Sequence, residues 1–509
     1  MRALAESRVL NQGNRDASAR VCVLYTGGTI GTRSIAPELL PEESEMLALE
    51  EVRGALQDCC DVDFDFRPLL AREGKEFQPM VSSQIEPADW KLMATTIREY
   101  YDDYSGFVIL HGTDTMAWTA SALSFMFTNL AKPIVLTGAQ RPIRATPSDA
   151  AANVEHAVLL AGRGHETIPA VPEVVICFGD ILLRGNRATK VSSAALQGFD
   201  TPNLAHLGRV GRRFDINADM LEPMPTQGDA CYARLDLEPC VADVMLYPGM
   251  RPAHLSSALD GMKGAVLRTF GAGNAPDTPG LLEVLQRAAD AGTVLVNVTQ
   301  TNEGTVEAGM LSGSRALTDL GVVSGLDMTA EAAFTKLTVL LGSEPPSTVR
   351  ELVQLAQRGE QSTDLVELRG QDLHAGKAGA QRIVLAPALH ARVRPARLVQ
   401  AVLRLRGLTL PADRQTPCEV RVYLNHWRAE RSTADDIRRV VLGDVPLLAM
   451  PQQDGGTVKD IVLDVTEAAR RLLEPGSPVT VTLVPLEDVP VTAEAVLTLF
   501  TTLGPTLPL

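Results

Sequence analysis

Residues 106–120, GFVILHGTDTMAWTA, contain an apolar run, a polar turn and a helix-forming segment in immediate succession. Residues 107–110 are apolar with β-branched members, which predicts a buried strand, and the HGTDT turn at 111–115 ends it. In open α/β sheets, ligands bind at the carboxyl ends of the strands, so this turn is a candidate site. Thr113 or Thr115 could instead cap the helix that follows.

A second strand and turn of the same kind lie near the N-terminus. Residues 21–25, VCVLY, lead into residues 26–31, TGGTIG. Paired glycines let the backbone turn sharply and let its N–H groups approach a bound atom, while Thr29 presents a hydroxyl. A phosphate-binding loop is the alternative, but it requires GxxxxGK[ST] or GxGxxG, and this turn has neither pattern.

Together the two turns resemble those of the bacterial-type L-asparaginases, and most closely the type I (cytoplasmic) branch, which carries TGGTI and HGTDT. Further matches to the family follow in the same order along the chain. They comprise residues 132–140, 148–149, 184–190, 199–204, 268–276 and 327–329, together with Glu331 and Lys336. The resemblance covers residues 20–370 and leaves the C-terminal part unassigned.

The resemblance implies an α/β fold in two parts. Residues 20–222 would form a large domain with a doubly wound, mainly parallel sheet, and residues 240–370 would form a smaller α/β domain. Residues 1–19 are predicted to be a disordered leader, as terminal segments often are. A chain of 509 residues exceeds a single hydrophobic core, which agrees with several domains.

The pattern changes after residue 380. Short alternating stretches such as 382–385, 419–424 and 479–484 are separated by turn residues. This spacing predicts an all-β, sandwich-like domain over residues 381–509. No catalytic constellation is visible in it, so interaction, covering of the site and stability all remain open as its role.

Composition excludes several classes of protein. The formal charge of −15 argues against nucleic acid as a partner, because neutralising phosphates requires clustered Lys and Arg. Seven cysteines without a CxxC spacing fit neither a disulfide framework nor a zinc site, and are typical of reduced thiols. The sequence shows no secretory h-region and no apolar run long enough to span a membrane. We therefore expect a cytoplasmic protein with no membrane partner.

The resemblance assigns the chemistry to four side chains. Thr29 would attack the side-chain amide carbon of L-asparagine, releasing ammonia and leaving an acyl-enzyme. Thr113 would position or activate the water that then releases L-aspartate, and Lys190 would adjust the reactivity of the Thr113 hydroxyl. Asp114 would pair with the α-ammonium of the substrate. No metal or organic cofactor is required.

The same resemblance supplies the remaining contacts to the substrate. Gly28 lies in the first turn, and Ser82 with Ser83 would hold the α-carboxylate. Both serines could instead cap the helix that opens at residues 87–90. Backbone N–H groups of the two turns are natural donors to the oxyanion. Without the resemblance, the basic cluster at 184–190 would be taken for solvated surface.

Members of the family assemble their site where the small domain of one subunit meets the large domain of another. Asn274 lies in the matching turn, so the resemblance implies a homo-oligomer, either a dimer or a tetramer. Some type I enzymes are also activated by asparagine at a second site. At the matching positions Arg268 and Asn274 are kept, whereas Thr301 stands in place of a cysteine. Allosteric activation therefore stays open.

One departure concerns the loop that closes over the substrate in the family. Many members carry an activating tyrosine there, but this sequence has no tyrosine between Tyr25 and Tyr100. Residues 35–37, IAP, or 39–41, LLP, occupy the corresponding place. The catalytic contribution of this lid is therefore in question.

Two other functions are alternatives to an asparaginase. The asparaginase-like subunit of a tRNA amidotransferase frees ammonia for a partner, but that family has an N-terminal extension domain, whereas the additional domain here is C-terminal. A non-catalytic asparagine or aspartate sensor would use the C-terminal domain as its output. A sensor has no need of both threonine hydroxyls, so the presence of Thr29, Thr113, Asp114 and Lys190 favours an enzyme.

Overall fold

The computed structural model arranges the chain in two compact units. The described residues are 20–32, 47–59, 64–69, 78–162, 168–226, 229–307, 312–370, 373–375, 381–386, 389, 397–409, 418–425, 441–447, 461–485 and 492–502. The first unit runs to Val353 and includes residues 357–360, and the second comprises residues 354–356 and those from Gln361 onwards.

Within the described residues, an eight-stranded sheet forms the centre of the first unit. In chain order its strands are β1 (Val21–Tyr25), β2 (Asp65–Arg67), β3 (Gly106–Leu110), β5 (Ile134–Thr137), β6 (Val174–Phe178), β7 (Ile181–Arg184), β10 (Gly208–Val210) and β11 (Phe214–Ile216). Short ladders pair β4 (Phe127–Thr128) with β12 (Tyr232–Ala233), and β8 (Thr189–Lys190) with β9 (Phe199–Asp200). The spatial order is β11-β10-β7-β6-β5-β3-β1-β2, and the strands from β6 to β2 are parallel.

Helices cover both faces of this sheet. They are α1 (Leu49–Cys59), α2 (Pro87–Glu99), α3 (Met116–Met126) and α4 (Ala150–Gly162). Because side chains alternate along a strand, Leu24 and Ile109 pack with α2 and α3, whereas Val23 and Val108 pack with α1 and α4. The prediction of a doubly wound, mainly parallel sheet is confirmed.

A smaller parallel sheet lies in the same unit. Its strands, in spatial order, are β13 (Val241–Met245), β14 (Gly264–Thr269), β15 (Val294–Thr299) and β16 (Val323–Ser324). The accompanying helices are α5 (Pro252–Leu259), α6 (Pro279–Asp290), α7 (Ser312–Asp319), α8 (Ala330–Leu341) and α9 (Pro346–Val353). Trp118 of α3 and Phe334 of α8 meet edge to face with ring centroids 5.3 Å apart, so α8 packs on a helix of the large sheet.

The second unit is built from two antiparallel sheets. One has the order β17 (Thr363–Gly370), β25 (Thr492–Thr502), β20 (Leu398–Thr409) and β23 (Ile461–Asp464). The other has the order β18 (Leu373–Ala375), β19 (Gln381–Ala386), β24 (Val479–Pro485), β21 (Cys418–Leu424) and β22 (Val441–Leu447), and α10 (Thr466–Leu472) follows β23. Ile383 and Val481 of the second sheet share a core with Leu403 and Leu497 of the first. This confirms the predicted sandwich-like class.

The strand β17 lies in a segment that we assigned from the sequence to the small domain, and it pairs along its whole length with β25. Among the helices that the structure describes, none is both long enough and apolar enough to cross a membrane.

Candidate functional site

The turns that follow β1 and β3 lie side by side, because these two strands are neighbours in the sheet. The N–H of Thr26 donates to the carbonyl of Leu110 over 3.0 Å, which ties the turns together where they begin. Gly27 and Gly28 have φ values of 112° and 86°, a region that residues with side chains rarely adopt. The N–H of Met80 donates to the carbonyl of Thr26, and its carbonyl accepts from the N–H of Gly28. The first turn is therefore held on both sides.

Gly28 and Gly112 bring the two turns into backbone contact. A Cβ atom added at Gly28 would lie 2.3 Å from the Cα of Gly112, and one added at Gly112 would lie 2.6 Å from Oγ of Ser82. Neither position has room for a side chain, so glycine permits the close approach. Thr29 and Thr113 are the next residues on either side of this contact.

Lys190 contacts both polar residues of the second turn. Its Nζ donates to Oγ1 of Thr113 over 2.9 Å and to Oδ1 of Asp114 over 2.6 Å. Thr113 is 5% exposed, whereas the side chains of Asp114 and Lys190 are 70% and 19% exposed. Because the hydroxyl oxygen of Thr113 accepts from an ammonium group, its own hydrogen points elsewhere. Three of the four side chains predicted to be catalytic thus meet in one place.

Thr29 begins a short 3-10 turn, Thr29–Gly31, and is half-buried. Its carbonyl accepts hydrogen bonds from the N–H and the hydroxyl of Thr32. Among the described residues, no partner is present for the hydroxyl of Thr29, nor for the backbone N–H of Thr29 or of Thr113. The two turns therefore offer one hydroxyl and two backbone donors that are available to a ligand.

Ser82 is buried and Ser83 is exposed in the 3-10 turn that precedes α2. The hydroxyl of Thr115 donates to the carbonyl of Ser82 over 2.7 Å and makes no cap bond to α3. The N-cap of α2 is Glu86, whose N–H donates to Oδ2 of Asp89 over 3.0 Å. The alternative in which the two serines cap α2 is therefore wrong.

Thr189 and Glu331 support Lys190, although the sequence indicated a role for neither. Oγ1 of Thr189 donates to Oε1 of Glu331 over 2.7 Å. Glu331 lies on α8 of the smaller sheet, and burial raises the pKa of its carboxyl above the ordinary value. Lys190 itself pairs with Phe199 in the β8–β9 ladder. Both residues lie in segments that match the family, which is the signal that could have pointed to them.

Arg268, Asn274 and Thr301 belong to the part of the unit built around the smaller sheet. Nε of Arg268 donates to Oδ1 of Asp243 over 2.7 Å, and the hydroxyls of Thr301 and Thr299 lie 2.7 Å apart. Oδ1 of Asn274 is buried and has no partner among the described residues. Among the hydrogen bonds of the described residues, none joins Arg268, Asn274 or Thr301 to a predicted catalytic side chain. Their roles in subunit contact or regulation stay predictions.

The loop compared with a substrate lid, including residues 35–37 and 39–41, lies outside the described residues. Before that loop, Tyr25 is fully buried beneath the first turn, and a Cβ added at Gly31 would lie 1.7 Å from its hydroxyl oxygen. Burial raises the pKa of Tyr25 above its ordinary value. Tyr25 is therefore a neutral packing residue under the first turn.

Metal ligands do not cluster in the part of the chain that the structure describes: no group of three or more His, Cys, Asp or Glu side chains is arranged to hold an ion there. Cys22 and Cys177 are buried free thiols, and burial raises the pKa of each to about 12. Cys231 and Cys240 are also free. The two buried thiols are therefore unreactive near neutral pH.

Two family models match the chain. The model described as "Asparaginase, N-terminal" matches residues 20–222, and the model described as "Glutaminase/Asparaginase C-terminal domain" matches residues 241–353. These ranges enclose the turns, Lys190 and Glu331, so the site described above lies within the matched part of the chain.

Similar proteins cover the same part of the chain. L-asparaginase 1 of Escherichia coli K12 is 38% identical over 68% of this chain and 98% of its own length. The human protein named 60 kDa lysophospholipase is 37% identical over 71% of this chain, but the match spans only 64% of that protein. The crystal structure of L-asparaginase I from Vibrio cholerae superposes with a TM-score of 0.58 and 34% identity, covering 68% of this chain and all of that one.

Proposed function

This chain belongs to the asparaginase family, and we propose that it is an amidohydrolase that converts L-asparagine to L-aspartate and ammonia. The observation that carries the proposal is the contact of Lys190 Nζ with both Thr113 and Asp114, beside the backbone contact of Gly28 with Gly112. The hydroxyl and the carboxylate thereby stand at the carboxyl end of β3, whose parallel neighbour is β1, and the ammonium of Lys190 reaches them from β8. We also propose a cytoplasmic location, on the resemblance to the type I branch.

Thr29 is the proposed nucleophile. Its Oγ1 attacks the side-chain amide carbon, and the hydroxyl proton passes to the departing nitrogen. Ammonia then departs, and the aspartyl group remains bound to Thr29 as an ester. Thr29 suits this role better than Thr113, because its half-buried hydroxyl has no partner among the described residues, whereas Lys190 already holds the Thr113 hydroxyl. The unpaired N–H groups of both threonines support the proposal, since such donors stabilise the oxyanion.

Thr113 and Lys190 are proposed to act when the ester is hydrolysed. A water molecule attacks the ester carbon, its proton returns to the oxygen of Thr29, and free aspartate leaves. The ammonium of Lys190 lies 2.9 Å from Oγ1 of Thr113, so it lowers the cost of negative charge on that oxygen. Thr113 is therefore suited to orient the water and share its proton. Neither step requires a metal or organic cofactor.

The substrate's charged groups are proposed to bind on either side of the reacting amide. The exposed carboxylate of Asp114 is accessible to the α-ammonium. Ser82, with Ser83, would bind the α-carboxylate, and the backbone of Gly28 would border the reacting group. The position of Ser82 supports this role, because the residue is buried and its side chain lies against Gly112, where the two turns meet.

An assay of ammonia release tests this proposal. L-Asparagine, L-glutamine and lysophosphatidylcholine are offered to the purified wild-type chain, the last because one similar protein is named a lysophospholipase. Thr29→Ala is expected to lower kcat at least about 10³-fold, as loss of a nucleophile does. Thr29→Ser keeps a hydroxyl and serves as the matched variant with partial activity. Undiminished ammonia release by Thr29→Ala would refute the assignment of Thr29 as the nucleophile. Release of fatty acid from lysophosphatidylcholine, without ammonia from either amino acid, would refute the proposed amidohydrolase activity.

We further propose that the chain acts as a homo-oligomer, a dimer or tetramer, in which Asn274 of one copy completes the site of another. Asn274 is only half-buried in the single chain, so part of the residue is accessible to a second copy, and this accessibility supports the proposal. Mixing Thr29→Ala with Asn274→Ala chains is expected to restore part of the activity, because one site in the hybrid keeps both residues. If light scattering shows that the chain is a monomer under conditions in which it is fully active, the proposed assembly is contradicted.

A further inference from the structure

His111 stands at the end of β3 and is fully enclosed by protein. Its Nδ1 lies 2.7 Å from the carbonyl oxygen of Gly112, and its Nε2 lies 2.9 Å from Oγ1 of Thr119 on α3. Nε1 of Trp90 on α2 donates to the same Oγ1 over 3.1 Å. His111 and Thr119 are 1% and 0% exposed, so no water competes for these bonds. Four groups from three elements thus form one buried chain of hydrogen bonds.

Chemistry fixes the direction of every bond in this chain. A carbonyl oxygen can only accept, so Nδ1 of His111 carries the hydrogen and Nε2 must accept from the hydroxyl of Thr119. An indole N–H can only donate, so Oγ1 of Thr119 accepts from Trp90 while its own hydrogen goes to His111. Burial lowers the pKa of His111 to about 4, so the ring is neutral at pH 7 and holds this one tautomer.

The last bond of the chain acts on the peptide group between Gly112 and Thr113. A trans peptide is planar, and its carbonyl and N–H point in opposite directions. Holding the carbonyl of Gly112 therefore fixes the direction of the N–H of Thr113. That N–H has no acceptor among the described residues, although Thr113 itself is 5% exposed and bonded to Lys190 through its hydroxyl.

We propose that His111 is a positioning residue that holds the N–H of Thr113 ready to donate to the substrate oxygen that becomes negatively charged during amide hydrolysis. This inference rests on the proposed function. Its physical basis is that a donor aimed in advance needs no reorganisation when the charge develops. His111 does not touch the reacting atoms, because both of its ring nitrogens are occupied by Gly112 and Thr119.

The test removes the two bonds of His111 one at a time. Thr119→Val keeps the volume but removes the hydroxyl that sets the tautomer, and His111→Leu removes the ring. Both are expected to lower kcat for asparagine about 10- to 100-fold while KM and the Kd of the product L-aspartate change less than about threefold, since only the charged oxygen needs the aimed donor. Thr119→Ser keeps the hydroxyl and should recover most of the loss. Thr95→Val, at a half-buried position of α2 whose hydroxyl donates only to the carbonyl of Lys91, is the matched control that should not differ from wild type.

The outcomes separate this inference from the proposed function. If the wild type releases no ammonia, the proposed function fails and the inference fails with it. If the wild type is active and Thr119→Val keeps kcat within about twofold, only the inference is overturned. It is also overturned if aspartate affinity falls as much as kcat, because His111 would then merely hold the site together. If His111→Leu does not fold, the comparison of Thr119→Val with Thr119→Ser decides alone.

Discussion

Thr189 and Glu331, which lie 142 positions apart in the sequence, are joined by a hydrogen bond of 2.7 Å directly beside the candidate site. Thr189 precedes Lys190 in β8, whereas Glu331 lies in the first turn of α8. Burial raises the pKa of Glu331, so losing its partner would leave a costly polar group inside the protein. The smaller sheet therefore contributes to the position of Lys190 through this bond.

Glu331→Ala is expected to lower kcat/KM for asparagine about tenfold, a loss of about 1–2 kcal/mol of transition-state stabilisation. The reason is that an unpaired Thr189 no longer fixes the strand that carries Lys190. Glu331→Gln keeps an acceptor oxygen and should stay close to wild type. Thr189→Val should match Glu331→Ala, and the double variant should lose no more than either single one. Steady-state ammonia release measures all four chains. Additive losses in the double variant would show that the two residues act separately.

Gly28→Ala is expected to abolish activity and to lower the free energy of unfolding by at least about 2 kcal/mol. The added Cβ would lie 2.3 Å from Cα of Gly112, and the φ of 86° is itself strained for alanine. Gly54→Ala is the matched control, because Gly54 lies in α1 and a Cβ there meets nothing within 4 Å. That control should gain about 0.5–1 kcal/mol from helix propensity. Urea unfolding and ammonia release report both effects, and an active Gly28→Ala chain would disprove the tight backbone contact.

Local features made the centre of the fold predictable. An apolar run with β-branched members predicted a strand at residues 107–110, and β3 is Gly106–Leu110. The paired glycines predicted a sharp turn, and Gly27 and Gly28 both adopt positive φ. In each case the cause lies within a few residues: alternate burial in the strand, and the missing Cβ in the turn.

Contacts between distant segments could not be predicted in this way. Thr363 of β17 pairs with Thr502 of β25, and nothing in the local pattern of β17 indicates that partner. The bond of Lys190 to Thr113 likewise follows from the assembled sheet, so the sequence could place Lys190 in the site only through resemblance. The alternative of serine caps for α2 is wrong for a local reason, because Glu86 directly precedes the proline at the first helical position.

Lys336→Met is expected to lower the free energy of unfolding by about 3–5 kcal/mol, because it leaves the carboxylate of Glu360 buried without its partner. Both side chains are 0% exposed, and Nζ lies 2.5 Å from Oε1. Burial alone would raise the pKa of Glu360, but the Lys336 charge and backbone donors hold it below the ordinary value. Lys336→Met combined with Glu360→Gln should recover most of the loss, because Gln still accepts from the N–H groups of Gln357 and Arg358. Urea titrations of the wild type and the two variants check this, and equal losses in the single and double variants would contradict it.

Acid is expected to weaken the first unit through His111. Burial, the largest cause, lowers the pKa of this ring to about 4 in the folded chain, against 6.5 for the ordinary group. Between these two pH values the unfolded chain binds the extra proton and the folded chain does not, so the free energy of unfolding falls as pH falls. Above pH 6.5 the ring is neutral in both states and costs no stability, and the loss of unfolding free energy grows to about 3 kcal/mol by pH 4.

His111→Gln should remove this component, because glutamine does not titrate in that range. Urea unfolding followed by tryptophan fluorescence between pH 7.5 and pH 4.5 should therefore show a steeper decline for the wild type than for His111→Gln. His254→Gln replaces an exposed ring and is the matched control, expected to follow the wild type. Parallel curves for the wild type and His111→Gln would mean that His111 already takes up its proton in the folded chain, which would also undo the single tautomer on which the bond to Gly112 depends.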